Sequence, residues 1–445
     1  MDYTQISDRD EKHMLEAIGA DSIEALFAPI PKDQRFSGDL DIPAGCSEME
    51  LLAEIGQLAG KNRDATQMTC FLGCGAYDHF VPTVVDSLAM RGEFLTAYTP
   101  YQAEASQGVL QAFYEFQTMI CELTGMDIAN ASLYDGASAA AEAAMLAKSA
   151  TGRTKIVLAT RCHPDTVETL QTYGQQQELT IESALSGDGV PDAAALAKAL
   201  DDKTAAVLIQ YPDFFGQLND IEPLIEAAHA VGALAIVSFD PLAAGIVKRP
   251  GDFGADIVIG EGQPLGLPLQ YGAPYLGFFA ARETYLRKMP GRVVGVAHDE
   301  HGNRGYCLVL QTREQHIKRE RATSNVCTNQ GLMAMRATVY MTAVGKNGLG
   351  KIASLCFDKA HYAAEQIAAL PNYSLKFDGP FFKEFVVQTT NDVTKVLDAC
   401  HDKGILAGVP MRKWFRDMDD CFAVAVTEKR TKAEIDRLVE TLASI

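Results

Sequence analysis

Four features of the 445-residue sequence combine residue types and spacings that can do chemistry. The first is Tyr134-Asp135-Gly136-Ala137-Ser138, which opens a stretch dense in alanine and so predicts the start of a helix. Free backbone N–H groups and the positive end of the helix dipole at such a start favour an anion, for example a phosphate. The plainer alternative is that Ser138 or Asp135 only caps the helix. The second is Asp240, which closes the apolar run LAIVSF at 234 to 239. Sites in open α/β sheets lie at the carboxyl ends of strands, and a carboxylate there can pair with a protonated ring nitrogen; a solvated residue before Pro241 is the alternative. His163, in RCHPD just after KIVLAT, is placed in the same way, to stack on a ring or to serve as a loop or capping residue. Last, His298 and His301 bracket Asp299 and Glu300, but Gly291, Gly295, Gly302 and Gly305 surround them, so a polar loop is expected rather than a metal site.

The elements that must position these residues alternate. Helical patterns at 108 to 123, 137 to 149, 193 to 200 and 221 to 230 interleave with short apolar or β-branched runs: KIVLA (155–159), TIESA (180–184), AAVLIQ (205–210), LAIVSF (234–239), DIVIG (256–260) and YLGFFA (275–280). Runs apolar throughout and separated by helices predict a mostly parallel sheet buried on both faces. A helix-rich passage near 329 to 345 leads to a tail of helix (349–369), strand (382–388), helix (392–402), strand (421–427) and helix (431–442), a small αβ domain with a mixed sheet. Residues 1 to 60 give only short helices, with Ser7 or Asp8 as a cap, a stop at Gly19, and Pro29 and Pro31 ending the next. The expected organisation is a helical arm over 1–65, a large α/β domain over 66–330, and a helix-rich connection with a small C-terminal αβ domain over 331–445. This matches the architecture of the fold type I pyridoxal phosphate (PLP) superfamily, by analogy only.

An enzyme of that fold needs a lysine to form a Schiff base with the cofactor, normally on a turn after the strand that follows the aspartate. Here that stretch is ADIVIGEGQPLGLPLQYGAPYLG, without a lysine, and Gln263 stands in its place. Lys248 lies too close to Asp240, and Lys288 follows the next strand; a surface role suits both better.

Three long segments explain the absence. FLGCGAYDHFVPTVVDSL (71–88), AYTPYQAEASQGVLQAFYEFQTMICELTGMDIANASLYDGASAAAEA (97–143) and REQHIKRERATSNVCTNQ (313–330) resemble glycine dehydrogenase (decarboxylating), the P-protein family of the glycine cleavage system. The resemblance runs essentially end to end and is strongest to subunit 1, the N-terminal half of a P-protein that some bacteria split into two chains. It implies decarboxylation of glycine on PLP and transfer of the aminomethyl group to the lipoyl arm of H-protein. The Schiff-base lysine is then expected on the partner, subunit 2, at the position that aligns with Gln263. It implies as well that PLP is bound covalently by the partner and not by this chain. Ser138, His163 and Asp240 would then be relics of a cofactor site, and the assembly a hetero-oligomer of two chains of each kind.

In this superfamily residues of a neighbouring chain complete the active site. The candidates here are Tyr98 and Tyr101, on the Pro-stiffened loop 97 to 102, and Thr323 and Ser324, about sixty residues past the lysine-equivalent position; plain interface packing is the alternative. The charged run from Arg313 to Arg321 is a solvated helix face, a subunit contact, or a surface for an acidic lipoyl carrier. Three functions stay open: the non-anchoring subunit of glycine decarboxylase, a self-sufficient PLP enzyme using Lys248 or another lysine, and a catalytically silent scaffold. Composition removes others. Thirty-nine Lys and Arg against 58 Asp and Glu give a net charge of −19, the wrong sign for nucleic acid. No apolar stretch approaches the ~18 to 20 residues that span a bilayer. Ten cysteines without a CxxC pair read as reduced core thiols, and the acidic N-terminus lacks the pattern of a targeting peptide, so a cytoplasmic protein is expected.

Overall fold

The computed structural model describes residues 5–36, 38, 40–185, 191–272, 274–322 and 326–445. It divides into two compact units, Met1–Asn62 and Arg63–Ile445. In the first, helices Asp8–Ile18 and Glu48–Ala59 each begin with a capping box, Ser7 with Asp10 and Ser47 with Glu50. The first helix ends at Gly19 in the left-handed region, as the sequence predicts. The stretch expected as a second helix tightens into a single 3₁₀ turn, Glu24–Phe27. No described residue of this unit is buried, and Ile18, Phe27, Phe36, Leu40 and Leu52 are all exposed.

The second unit is built on a seven-stranded sheet. Its strands are β1 (Ile128–Ala129), β2 (Lys155–Leu158), β3 (Thr180–Ser183), β4 (Thr204–Tyr211), β5 (Leu234–Phe239), β6 (Ile257–Glu261) and β7 (Gly277–Ala281), in the order β1-β7-β6-β5-β4-β2-β3. From β6 to β3 every pairing is parallel; β7 pairs antiparallel with both β6 and β1. Because successive side chains of a strand point to opposite faces, the central strands feed two cores. Val157, Val207 and Val237 pack on one side with helices Gln107–Thr124 and Glu222–Ala230. Ile156, Leu208 and Ile236 pack on the other side with the alanine-rich helix Gly136–Thr151. The continuous apolar runs follow from this burial on both faces.

A long helix, Thr328–Ala368, leaves this core and enters a smaller one. Gly345 interrupts it with φ 61° and ψ −179°, where the sequence pattern also lapses. The smaller lobe carries strands β8 (Tyr373–Leu375), β9 (Glu384–Thr389), β10 (Val409–Pro410) and β11 (Cys421–Ala425), in the order β8-β9-β11-β10. The sheet was expected to be mixed, but all its pairings are antiparallel. After the crossover helix Val393–Asp402 the chain does form a parallel pair, but Ile405–Leu406 makes it with Thr69–Cys70 instead of joining the sheet. Phe71 accordingly lies in the small core. The fold is that of PLP fold type I enzymes, a large lobe with a mostly parallel sheet and a small C-terminal lobe. Among the described residues no helix is long and apolar enough to cross a membrane.

Candidate functional site

The carboxyl ends of β4, β5 and β6 open into a cleft of about 440 Å³, closed on one side by residues 74–77 and on the other by the head of β9. The start of the Gly136–Thr151 helix, His163, Asp240 and Glu261 line it, as the sequence implies for residues at strand ends. What each group does there differs from a cofactor contact.

At the helix start, Asp135 is the cap, its Oδ1 accepting from the Ser138 N–H at 2.7 Å. The Gly136 N–H donates to Glu261 Oε2 at 3.1 Å. Glu261 Oε1 also accepts from the Gln263 and Leu276 N–H groups, at 2.9 and 3.0 Å. A side-chain carboxyl thus fills the anion place. His163 caps the helix Pro164–Gln176: its Nδ1 accepts from the Asp165 N–H, so Nε2 carries the proton and donates to the Cys74 carbonyl at 2.9 Å. Its ring stands edge-on to Phe214, centroids 4.9 Å apart.

Asp240 follows β5. Its Oδ1 accepts from the Leu242 N–H, and its Oδ2 lies 2.7 Å from the ammonium of Lys383. That lysine side chain is 2% exposed. It reaches across from the small lobe, donates to His79 Nε2 at 3.0 Å and sits 3.8 Å from the centre of the Tyr77 ring. Burial, then the neighbouring Lys383 charge, lowers the pKa of His79. A neutral ring fits the hydrogen bonds, with Nε2 accepting from Lys383 and Nδ1 donating to Glu428 at 2.7 Å. His79, Cys356 and Glu428 are the one metal-type cluster among the described residues. Both ring nitrogens of His79 are spent, and an ammonium adjoins them, so the cluster is a hydrogen-bond relay rather than a cation site. The next residue, Glu384, accepts from the Cys74 N–H at 2.6 Å and from the Tyr77 hydroxyl at 2.9 Å. Burial raises its pKa. At Gly216, φ +83°, the two lobes touch backbone to backbone, and a Cβ would overlap the Glu384 carbonyl.

Gln263 is fully buried. Its Oε1 accepts from the Tyr77 N–H, and its Nε2 donates to the carbonyls of Tyr77 and Leu267, all between 2.8 and 3.0 Å. Elsewhere, Tyr98 is 82% exposed, while Tyr101 stacks on Phe113 beneath the Arg292 guanidinium, 3.9 Å from its ring centre. Neither lines the cleft. Thr323 and Ser324 lie outside the described residues. The segment with His298 and His301 is the tip of a hairpin between strands Val293–His298 and Arg304–Val309, folded round the Asp299 carboxylate. Lys248 is partly exposed over the Phe253 ring and near Glu222, and Lys288 holds the Ser149 carbonyl. Sequence reasoning missed Lys383, Glu384, Tyr77 and Glu261. The available signal was two adjacent charges in the apolar run FFKEFVV.

The family model for the glycine cleavage system P-protein matches residues 1–442. The chain belongs to that family. Of the curated P-protein relatives, the probable glycine dehydrogenase (decarboxylating) subunit 1 of Desulfitobacterium hafniense is 47% identical, with 100% of each chain covered. That of Chloroherpeton thalassium is 49% identical over 99% of each. A crystal structure of glycine decarboxylase (P-protein), in inhibitor-bound form, matches at 40% identity with a TM-score of 0.91 and full coverage of both chains. Glutamate decarboxylase of Lactobacillus brevis, 12% identical, shares the fold at a TM-score of 0.69 over 93% of this chain and 95% of that one. The P-protein family brings PLP with it, yet the cleft of this chain does not fit the cofactor. It has no lysine at 263, Asp240 is taken by Lys383, and Gly136 N–H is taken by Glu261.

Burial pushes Glu261 and Glu142 up to about 7 and Asp213 up to about 6. A carboxyl group raised above its unfolded value stabilises the fold fully below the unfolded pKa, and that stability is lost as pH rises through the folded one. Glu142→Gln is therefore expected to gain on wild type between pH 5 and 8, by roughly 2 to 3 kcal/mol at the alkaline end. Thermal unfolding across that range checks it; a difference that does not change with pH would mean Glu142 titrates as in water.

Proposed function

We propose that this chain is the subunit of a two-chain glycine decarboxylase that does not anchor the cofactor. PLP and its Schiff-base lysine belong to the partner, subunit 2, where glycine is decarboxylated and the aminomethyl group passes to the lipoyl arm of H-protein. The observation that carries this reading is Gln263, fully buried at the lysine position with its amide bound to backbone groups. The names of the full-length relatives, each a subunit 1, support a second chain. The proposed assembly has two copies of each subunit and is cytoplasmic.

This chain's part is to complete the partner's site. The Tyr98 ring is exposed, and the half-buried Tyr101 hydroxyl lies beside the Thr328 side chain. Together with Thr323 and Ser324, these hydroxyls are the candidates to reach the neighbour. The test is glycine–bicarbonate exchange with lipoylated H-protein. Neither chain alone should exchange, and the mixture should. In the mixture Tyr98→Phe, Tyr101→Phe or Thr323→Val should leave assembly intact and lower the rate or PLP retention about ten-fold, the loss of one hydrogen bond to a charged group. Unchanged rates in all three would leave a scaffold role.

A further inference from the structure

We propose that the cleft carries its own replacement for the cofactor. The Lys383 ammonium stands against Asp240 where fold type I enzymes set a protonated ring nitrogen, and at the helix start where they set a phosphate the Gly136 N–H is taken by the Glu261 carboxyl and the Ser138 N–H by Asp135. The inference rests on the fold and these contacts, and it holds whatever reaction the assembly performs. Both ends of the cleft are satisfied from within: Glu261 by three N–H groups, and Lys383 by a carboxylate, an imidazole nitrogen and a ring face. A bound PLP would have to break the Lys383–Asp240 pair and expel Glu261 from its amides, gaining no new kind of contact at either end. The pair also spans the lobes, since Asp240 follows β5 of the large sheet and Lys383 precedes β9 of the small one. Its consequence is a subunit that closes and stays closed without cofactor.

The experiment uses the full isolated chain. Pyridoxamine 5′-phosphate, which has no aldehyde and so cannot attach to surface lysines, is the probe. At millimolar concentration it is expected to leave the unfolding temperature of wild type unchanged; a saturable rise would overturn the proposal. A double-mutant cycle tests the pair. Asp240→Asn, which strands a lysine 2% exposed, should lower the unfolding temperature by roughly 4 to 8 °C. Lys383→Met should cost less, because Asp240, 15% exposed, still meets water in the cleft. The double variant should recover much of the loss, since removing both partners of a buried pair leaves no orphan. A double variant as unstable as the worse single one, or drops that simply add, would overturn the proposal.

Discussion

Replacement of Asp78 by alanine is expected to destabilise the Arg63–Ile445 unit by about 3 to 5 kcal/mol. Its carboxylate lies 2.7 Å from Lys429 Nζ and 3.1 Å from an Arg430 nitrogen, and the Arg430 side chain is only 4% exposed. Without Asp78 the guanidinium keeps Glu434 alone, at 3.5 Å. Leaving a buried charge short of its partner is what makes such a pair expensive to break, even where the intact pair adds little. The damage would spread, because the neighbouring Tyr77 and His79 form the wall around Lys383. Urea unfolding at unchanged slope is the measurement. A loss below about 1 kcal/mol would mean that Arg430 turns out to solvent when freed.

Restoring a lysine at position 263 is expected to yield no self-sufficient enzyme. The isolated Gln263→Lys chain, given PLP, should show no glycine–bicarbonate exchange and no visible absorbance that survives dialysis. Lysine has only donors, so the Tyr77 N–H loses its acceptor, at about 1 to 3 kcal/mol. An ammonium would also enter a fully buried place, where desolvation disfavours charge. Even a neutral amine there would face a cleft whose aspartate is occupied by Lys383. Exchange by the isolated variant at a rate approaching that of the two-chain complex would show that the cleft lacks nothing but its anchor.

The difference between what sequence revealed and what it hid is physical. Strands β2, β4, β5 and β6 were legible because burial on both faces forces unbroken apolar runs. The reversed direction of β7 was not, since YLGFFA reads the same either way along the sheet. The small lobe's sheet was expected to be mixed, but the parallel pairing that follows its crossover helix is made with Thr69–Cys70, hundreds of residues earlier, which no local pattern announces. At the cleft, Ser138, His163 and Asp240 could be placed from their positions at element ends. The groups that fill it could not, because Lys383 reaches Asp240 only through closure of the lobes, and Glu261, at the end of β6, reaches Gly136 from 125 residues away. Local pattern therefore located the cleft and missed its occupancy.

The interruption at Gly345 bears on how the lobes can move. A continuous helix of such length would transmit every displacement as a stiff rod. With one residue at φ 61° and ψ −179°, the run becomes two rods joined by a pair of torsions; the first is seated in the large core, and the second still packs Ala353 and Cys356 there before Ala360, Ala363 and Ile367 enter the small one. The chain's other crossing between the lobes is the stretch after Phe71, which Gln263, Glu384 and Glu428 pin by its backbone. The small lobe thus hangs on two mounts that are both fixed, the long helix by its packing in both cores and the stretch after Phe71 by its bolted backbone. The Lys383–Asp240 contact lies across the gap as a third tie, so the torsions at Gly345 bend the helix within the large lobe and leave the gap as it is.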